Sequence, residues 1–239
     1  MKAFVITLLN DESSQQGADE CILSANIPIE KYYGVVPDAV ENMMNEYSLQ
    51  WNYPWNGQQF LDMQTGLIKT GYQTVDLRKR IACFLSHYKL WRECASVGED
   101  YLILEHDAYF EHKFEPDVFE NSNKTIIALN RPQARCTPKA DIYAHRVRAQ
   151  ILEGDNSKMK RRVVQVPYLQ EDRRHPAGLP GNSAYYLKPS GAKQLLELVD
   201  LYGAWPNDAI MCRQLMPKKL GIVYPYITRV NERLSSTTL

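Results

Sequence analysis

No Cys-x-x-Cys pair occurs in this sequence, and its five cysteines (Cys21, Cys83, Cys94, Cys136, Cys212) are scattered and odd in number. A disulfide scaffold is therefore not expected, and the pattern fits a reducing, cytoplasmic setting. Long apolar runs are missing too. Nothing approaches the ~20 residues of a membrane-spanning helix, so any contact with a membrane would be peripheral. The first apolar run stops at Asn10-Asp11-Glu12, too short for a secretory leader, and reads as a buried strand. Neither charge is in excess: 28 basic and 28 acidic side chains cancel, which removes the general field that nucleic-acid binding uses. There is no Walker-type loop, no Gly-x-Gly-x-x-Gly after a strand and no Gly-x-Ser-x-Gly. Those absences argue against ATP hydrolysis, NAD chemistry and serine-hydrolase chemistry. With no internal repeat and no linker rich in Gly or Pro, the 239 residues read as one domain.

What is present alternates between strand and helix patterns. Residues 2–9 read as a strand and Gln16 to Ala25 as a short helix. Residues 26–80 are rich in aromatic and turn residues, with Trp51, Tyr53 and Trp55 clustered before Gly57. Ile81, Phe84, Leu85, Tyr88, Trp91 and Ala95 fall at helical spacing and predict an amphipathic helix ending near Gly98. Strands follow at Tyr101–Leu104, 125–130, 163–167 and 222–224, with another, preceded by Gly181 and Asn182, running to Leu187. A helical turn is expected at 115–120, a helix opening at Pro189 and a short one after Pro206. Residues 131–162 read as polar and basic, including Lys158 to Arg162. The fold class is α/β, with a mostly parallel central sheet flanked by helices.

The strand 101–104 runs straight into Glu105-His106-Asp107. Alternation along a strand would send Glu105 and Asp107 to one side and His106 to the other. Carboxylates at the carboxyl end of a buried strand lie where α/β proteins bind ligands. Their oxygens suit a hard cation, Mn2+ or Mg2+, which would most naturally hold a phosphate. The plainer reading has them capping the next segment. Cys83 and His87 lie one helical turn apart and, with no second pair at zinc spacing, read as buried helix residues. Gly181 would let backbone approach a ligand closely, and Asn182 offers a donor and an acceptor, though both also fit an ordinary turn. The aromatic cluster fits stacking on a ligand ring less well than packing, and the basic run fits a solvated face better than a lid.

Three motifs in order carry a resemblance. Ile81-x-Cys83-x-Leu85-Ser86-His87 comes first, then Glu105-His106-Asp107 after its strand. Last comes Gly181-x-x-Ala184-Tyr185-x-Leu187, continued by Gly191-Ala192 and Leu195-Leu196. Together they resemble glycosyltransferase family 25, which includes lipooligosaccharide and collagen galactosyltransferases. The resemblance implies a GT-A fold, with a Rossmann-like half (about 1–130) for the nucleotide sugar and an acceptor-binding half (about 131–239). It implies a UDP-hexose donor (galactose or glucose), a glycan acceptor, a divalent cation and inversion at the anomeric carbon. Ser86 and His87 would border the donor, as would Thr7 and Leu8 in the opening strand. Glu105 and Asp107 would hold donor and metal. Asp208, after Trp205-Pro206-Asn207, falls where the family has an Asp after a proline, and would act as base or acceptor ligand or else complement the dipole of a helix's first turn, with Glu171 and Asp172 in reserve as base. Three departures are visible: His106 for the middle acid, Lys79-Arg80-Ile81-Ala82 for Gly-Glu-Ile-Gly, and no arginine before Arg78. They keep open a degenerate relative that only binds glycans or a partner. A metal-dependent phosphoesterase would need more His and Asp ligands than the sequence offers.

Overall fold

A computed structural model describes residues 1–132, 139–152, 161–179 and 181–231. In chain order they form β1 (Lys2–Thr7), α1 (Glu12–Ser24), β2 (Glu30–Tyr33), α2 (Val40–Glu46), β3 (Gln59–Leu61), β4 (Ile68–Thr70), α3 (Leu77–Val97) and β5 (Tyr101–Glu105). Then come β6 (Ala108–Phe110), α4 (Pro116–Glu120), β7 (Ile126–Ala128), α5 (Ala140–Leu152) and β8 (Arg162–Gln165). β9 (Ala184–Leu187), α6 (Pro189–Tyr202), α7 (Asn207–Ile210), β10 (Leu220–Tyr224) and β11 (Thr228–Val230) complete the order.

Among the described residues, one seven-stranded sheet runs in the order β2-β1-β5-β9-β7-β10-β8, drawing strands from both halves of the chain. β2, β1, β5, β7 and β10 point one way; β9 and β8 run against them. The sheet is thus mostly parallel in direction, as expected. The central β9 is the exception, and it matters for the site. A strand parallel to β5 would have to cross back to the far edge before entering the sheet. β9 instead enters at the edge where β5 ends, and the Glu105 N–H donates to the Ser183 carbonyl at 2.7 Å. Gly181–Ser183 thereby lies beside the carboxyl end of β5.

Both faces of the sheet are covered. Along β5, Tyr101 and Ile103 join the apolar cluster made with α3 and α6, while Leu102 and Leu104 join the one containing Ala18 and Cys21 of α1, with Phe114 and Phe119. This is the alternation of a strand buried on both sides. Fully buried anchors such as Trp91 and Phe84 each contribute ~1.5–3 kcal/mol before the entropy of ordering them is counted.

Caps set the helix bounds where periodicity alone does not. α3 starts at Leu77, a turn before the apolar repeat at Ile81, because the Asp76 carboxylate accepts the Arg78 N–H at 2.9 Å. It ends at Gly98, whose φ of 75° closes the last turn. α1 likewise starts at Glu12 rather than Gln16, since Asp11 caps the Ser14 N–H. α5 corrects the reading of 131–162 as merely polar: Ala140, Tyr143 and Val147 form a narrow buried stripe. Residues 133–138, which include Cys136, and the Lys158–Lys160 part of the basic run lie outside the described residues. Arg161 bonds the Lys113 and Pro225 carbonyls and the Glu115 carboxylate. The other four cysteines are free thiols.

Candidate active site

Glu105 is the last residue of β5, on the face that meets α3. Its Oε1 lies 3.1 Å from His87 Nε2, and the far nitrogen, Nδ1, lies 2.9 Å from the Tyr185 hydroxyl. That hydroxyl accepts the Trp91 indole N–H at 2.8 Å. Burial pushes the Glu105 pKa up, but the hydrogen bond and charge of His87, with His106 and Arg80 behind them, hold it below the ordinary glutamate value. The strand stops here. His106 and Asp107 form a turn before β6, so the alternation expected to carry Asp107 to the side of Glu105 does not extend to it. Asp107 still belongs to the neighbourhood: the Cys83 thiol is driven well up by burial, and the charges of Glu105, Asp208 and Asp107 add to that rise while Arg80 opposes it.

Asp208 sits in the first turn of α7 at the wall of a cavity of about 340 Å³, with Tyr53, Tyr72, Gln170, His175 and Gly181 among its lining. That volume falls at the small end of ligand pockets. The Asp208 Oδ1 is buried without a hydrogen-bond partner. Its pKa is raised, first by burial and then by Glu105, against the charge of Arg80 and a hydrogen bond from Tyr72. The Arg80 guanidinium lies 4.7 Å from the centre of the Tyr72 ring and donates to Thr74 Oγ1 at 3.1 Å, while its Nε is buried without a partner. Glu105, Asp208, Cys83 and His87 thus share one neighbourhood around Arg80.

The other anticipated residues have different surroundings. Thr7 Oγ1 lies 3.0 Å from Ser14 Oγ, which also accepts the Leu8 N–H, so this end of β1 is tied to α1. Ser86 Oγ donates to the Ala82 carbonyl and accepts the Val35 N–H, anchoring the loop after β2. Gly181 takes a φ of 58°, a left-handed backbone that suits glycine, and its carbonyl accepts from the Asn130 side chain. Asn182 is buried, its Nδ2 3.6 Å from Met211 Sδ and its Oδ1 without a hydrogen-bond partner. Glu171 is exposed. Asp172 is clamped by Arg174, which lowers its pKa to about 2. Trp51 packs edge-on against Phe84, and Tyr53 lies between Tyr72 and Trp205.

A family model described as glycosyltransferase family 25, LPS biosynthesis protein, matches residues 1–211. The chain belongs to this family. The match begins 80 residues before the first motif at Ile81, so it takes in the opening strand as well. No curated protein matches the sequence. Among solved structures, the apo crystal structure of mouse xyloside xylosyltransferase 1 is similar over 92% of this chain and 84% of that one, at 10% identity and a TM-score of 0.40. As a family 25 member the protein is a glycosyltransferase, and its helix-flanked sheet has the α/β architecture that the resemblance implied.

In this glycosyltransferase the sequence pointed to the carboxylates but not to what surrounds them. Arg80 was visible only as a departure from the motif. Yet it stands three residues before Cys83 and seven before His87, a spacing that puts all three on one face of α3. Tyr72 and Asn130 reach the site from far along the chain and carried no local signal. Asn130, fully buried, also bonds Ser183 and accepts from Thr228, fixing the 181–183 turn.

Proposed function

We propose that this glycosyltransferase moves a hexose, galactose or glucose, from a UDP donor to a glycan acceptor with inversion, using Asp208 as base. The observation that carries the reading is the unpartnered, buried Oδ1 of Asp208 at the cavity wall, beside the charge of Glu105. An inverting displacement needs one base within about 3 Å of the acceptor hydroxyl. The hydroxyl oxygen bonds to the anomeric carbon, its proton passes to Asp208, and the bond from that carbon to the diphosphate oxygen breaks. The raised pKa makes Asp208 a better proton acceptor than an ordinary aspartate. Asp172, held to about 2 by Arg174, is the poorer base. Asn182, through its unpartnered Oδ1, and the Gly181 backbone are suited to hydroxyls of the acceptor. Thr7, Leu8 and Ser86 support the donor side through the loops they anchor.

The reading includes a divalent cation beside the donor. Three carboxylates, Glu105, Asp107 and Asp208, act on one buried thiol against the charge of Arg80, and the negative charge they bring supports a hard ion with oxygen ligands. Glu105 and Asp107 would hold Mn2+ or Mg2+. Bound there, the ion would stabilise charge on the departing diphosphate as a Lewis acid.

The test is thermal unfolding with UDP and Mn2+. A ligand at 100 times its Kd adds about 2.7 kcal/mol, or roughly 5–10 °C for a chain of this size. The rise should vanish in Asp107→Ala. No rise with any nucleoside diphosphate contradicts the reading.

A further inference from the structure

Cys83 and His87 are four residues apart on α3, so their side chains lie one above the other on one face. Sequence spacing alone made them buried helix residues. The fold adds a third group. One ligand atom each from Cys83, His87 and Glu105 lies within 4.8 Å of the others. Ligands bonded to a single zinc-sized ion at about 2.0–2.3 Å sit closer together than this limit, as His87 Nε2 and Glu105 Oε1 already do at 3.1 Å.

The imidazole is already held from behind. With Nε2 turned toward Glu105, Nδ1 faces the Tyr185 hydroxyl, and Trp91 fixes that hydroxyl in turn. Metal-binding histidines are oriented by a partner on the far nitrogen in this way. Cys83 Sγ, on the remaining side, is 3.9 Å from Asn207 Oδ1, next to the Asp208 that lines the cavity. The geometry points to a three-ligand site for a zinc-class ion, made by Cys83 Sγ, His87 Nε2 and Glu105 Oε1, with its fourth position left to water or substrate. Thiolate, imidazole and carboxylate form a donor set for zinc, whereas Mn2+ and Mg2+ prefer oxygen alone. Three protein ligands and one open position is the arrangement of reactive rather than purely structural zinc. The site shares Glu105 with the donor-side cation proposed above, so zinc bound here takes that carboxylate away from the donor.

The test uses the full chain, stripped of metal by a chelator and desalted, without nucleotide or acceptor. Its outcome is therefore independent of whether the transfer reaction is found. Cobalt(II) is titrated first, and zinc is then competed against a chromophoric chelator. The expected result is one ion per chain, a cobalt–thiolate absorption band displaced by zinc, and affinity lowered at least about 10-fold in Cys83→Ala, the loss that even outer partners cause. Alanine suits a helix interior, and circular dichroism checks the fold. Glu105→Gln should show the same loss of affinity while keeping the thiolate band. Absence of that band in the unaltered protein, or zinc affinity unchanged in both variants, overturns the proposal.

Discussion

Asp208 works against its surroundings. Burial raises its pKa most and Glu105 adds to the rise, while Arg80 and Tyr72 pull it down. As the proposed base, Asp208 must be unprotonated, so a raised pKa means that activity is lost earlier as the pH falls. The acid limb of kcat should therefore lie above the ordinary aspartate value of about 3.9. Removing the cation in Arg80→Gln should move that limb further up. A pH–rate profile of the two proteins checks this, and a limb that stays or moves down contradicts it. A second residue-scale case is Lys69, whose side chain has no exposure. It bonds Asp62 at 2.9 Å and the Asn52 carbonyl at 2.9 Å, and lies 3.7 Å from the centre of the Trp205 ring. The partners answer burial differently. Desolvation pulls Lys69 below the ordinary lysine value, whereas for Asp62 the bonds from Thr65, Lys69 and Gln64 outweigh burial and lower its pKa. Lys69→Met leaves the buried Asp62 carboxylate without its counter-charge, with only the bonds from Thr65 and Gln64, and should cost about 3–5 kcal/mol in urea unfolding. A loss below 1 kcal/mol would mean that Asp62 finds water instead.

At the scale of elements, α1 holds the turn that carries Asp107. A Cβ added to Gly17 would sit 2.5 Å from the His106 carbonyl oxygen, a backbone atom with no rotamer to change. Gly17→Ala should therefore destabilise by about 1–3 kcal/mol and shift the 106–107 turn. Unchanged stability would show that α1 can draw back freely. The same scale explains what could be read from the chain. α3 was legible because a 21-residue helix repeats its apolar face several times and ends on glycine. β5 was legible because four buried residues precede its carboxylate. β2, at the sheet edge with only partly buried or exposed side chains, offered no apolar run, and β6 and β11 are three residues each. α5 hid behind the charged residues on either side of its stripe. The reversed direction of β9 was not legible at all, because it depends on where the preceding loop enters the sheet. That loop forms the wall beside Glu105, so part of the site was hidden for the same reason.

At the scale of the whole molecule, the balanced charge leaves recognition to local groups, and the groups gathered at the carboxyl edge of the sheet are acids, one arginine, a thiol and an imidazole. Among the described residues no helix is long and apolar enough to cross a membrane. The motifs gave the family from short ordered stretches; of their partners, Arg80 stands on the first motif's own helix, whereas Tyr72 and Asn130 are brought in only by the assembled fold. The most direct measurement is sugar transfer by the full chain with a panel of UDP-hexoses and glycan acceptors, following release of UDP and the anomeric form of the product. The expected result is turnover of a UDP-hexose with inversion, and a fall in kcat of about 10²–10⁴ in Asp208→Asn with circular dichroism unchanged. A product of retained configuration, or an Asn variant as fast as the unaltered protein, would contradict it.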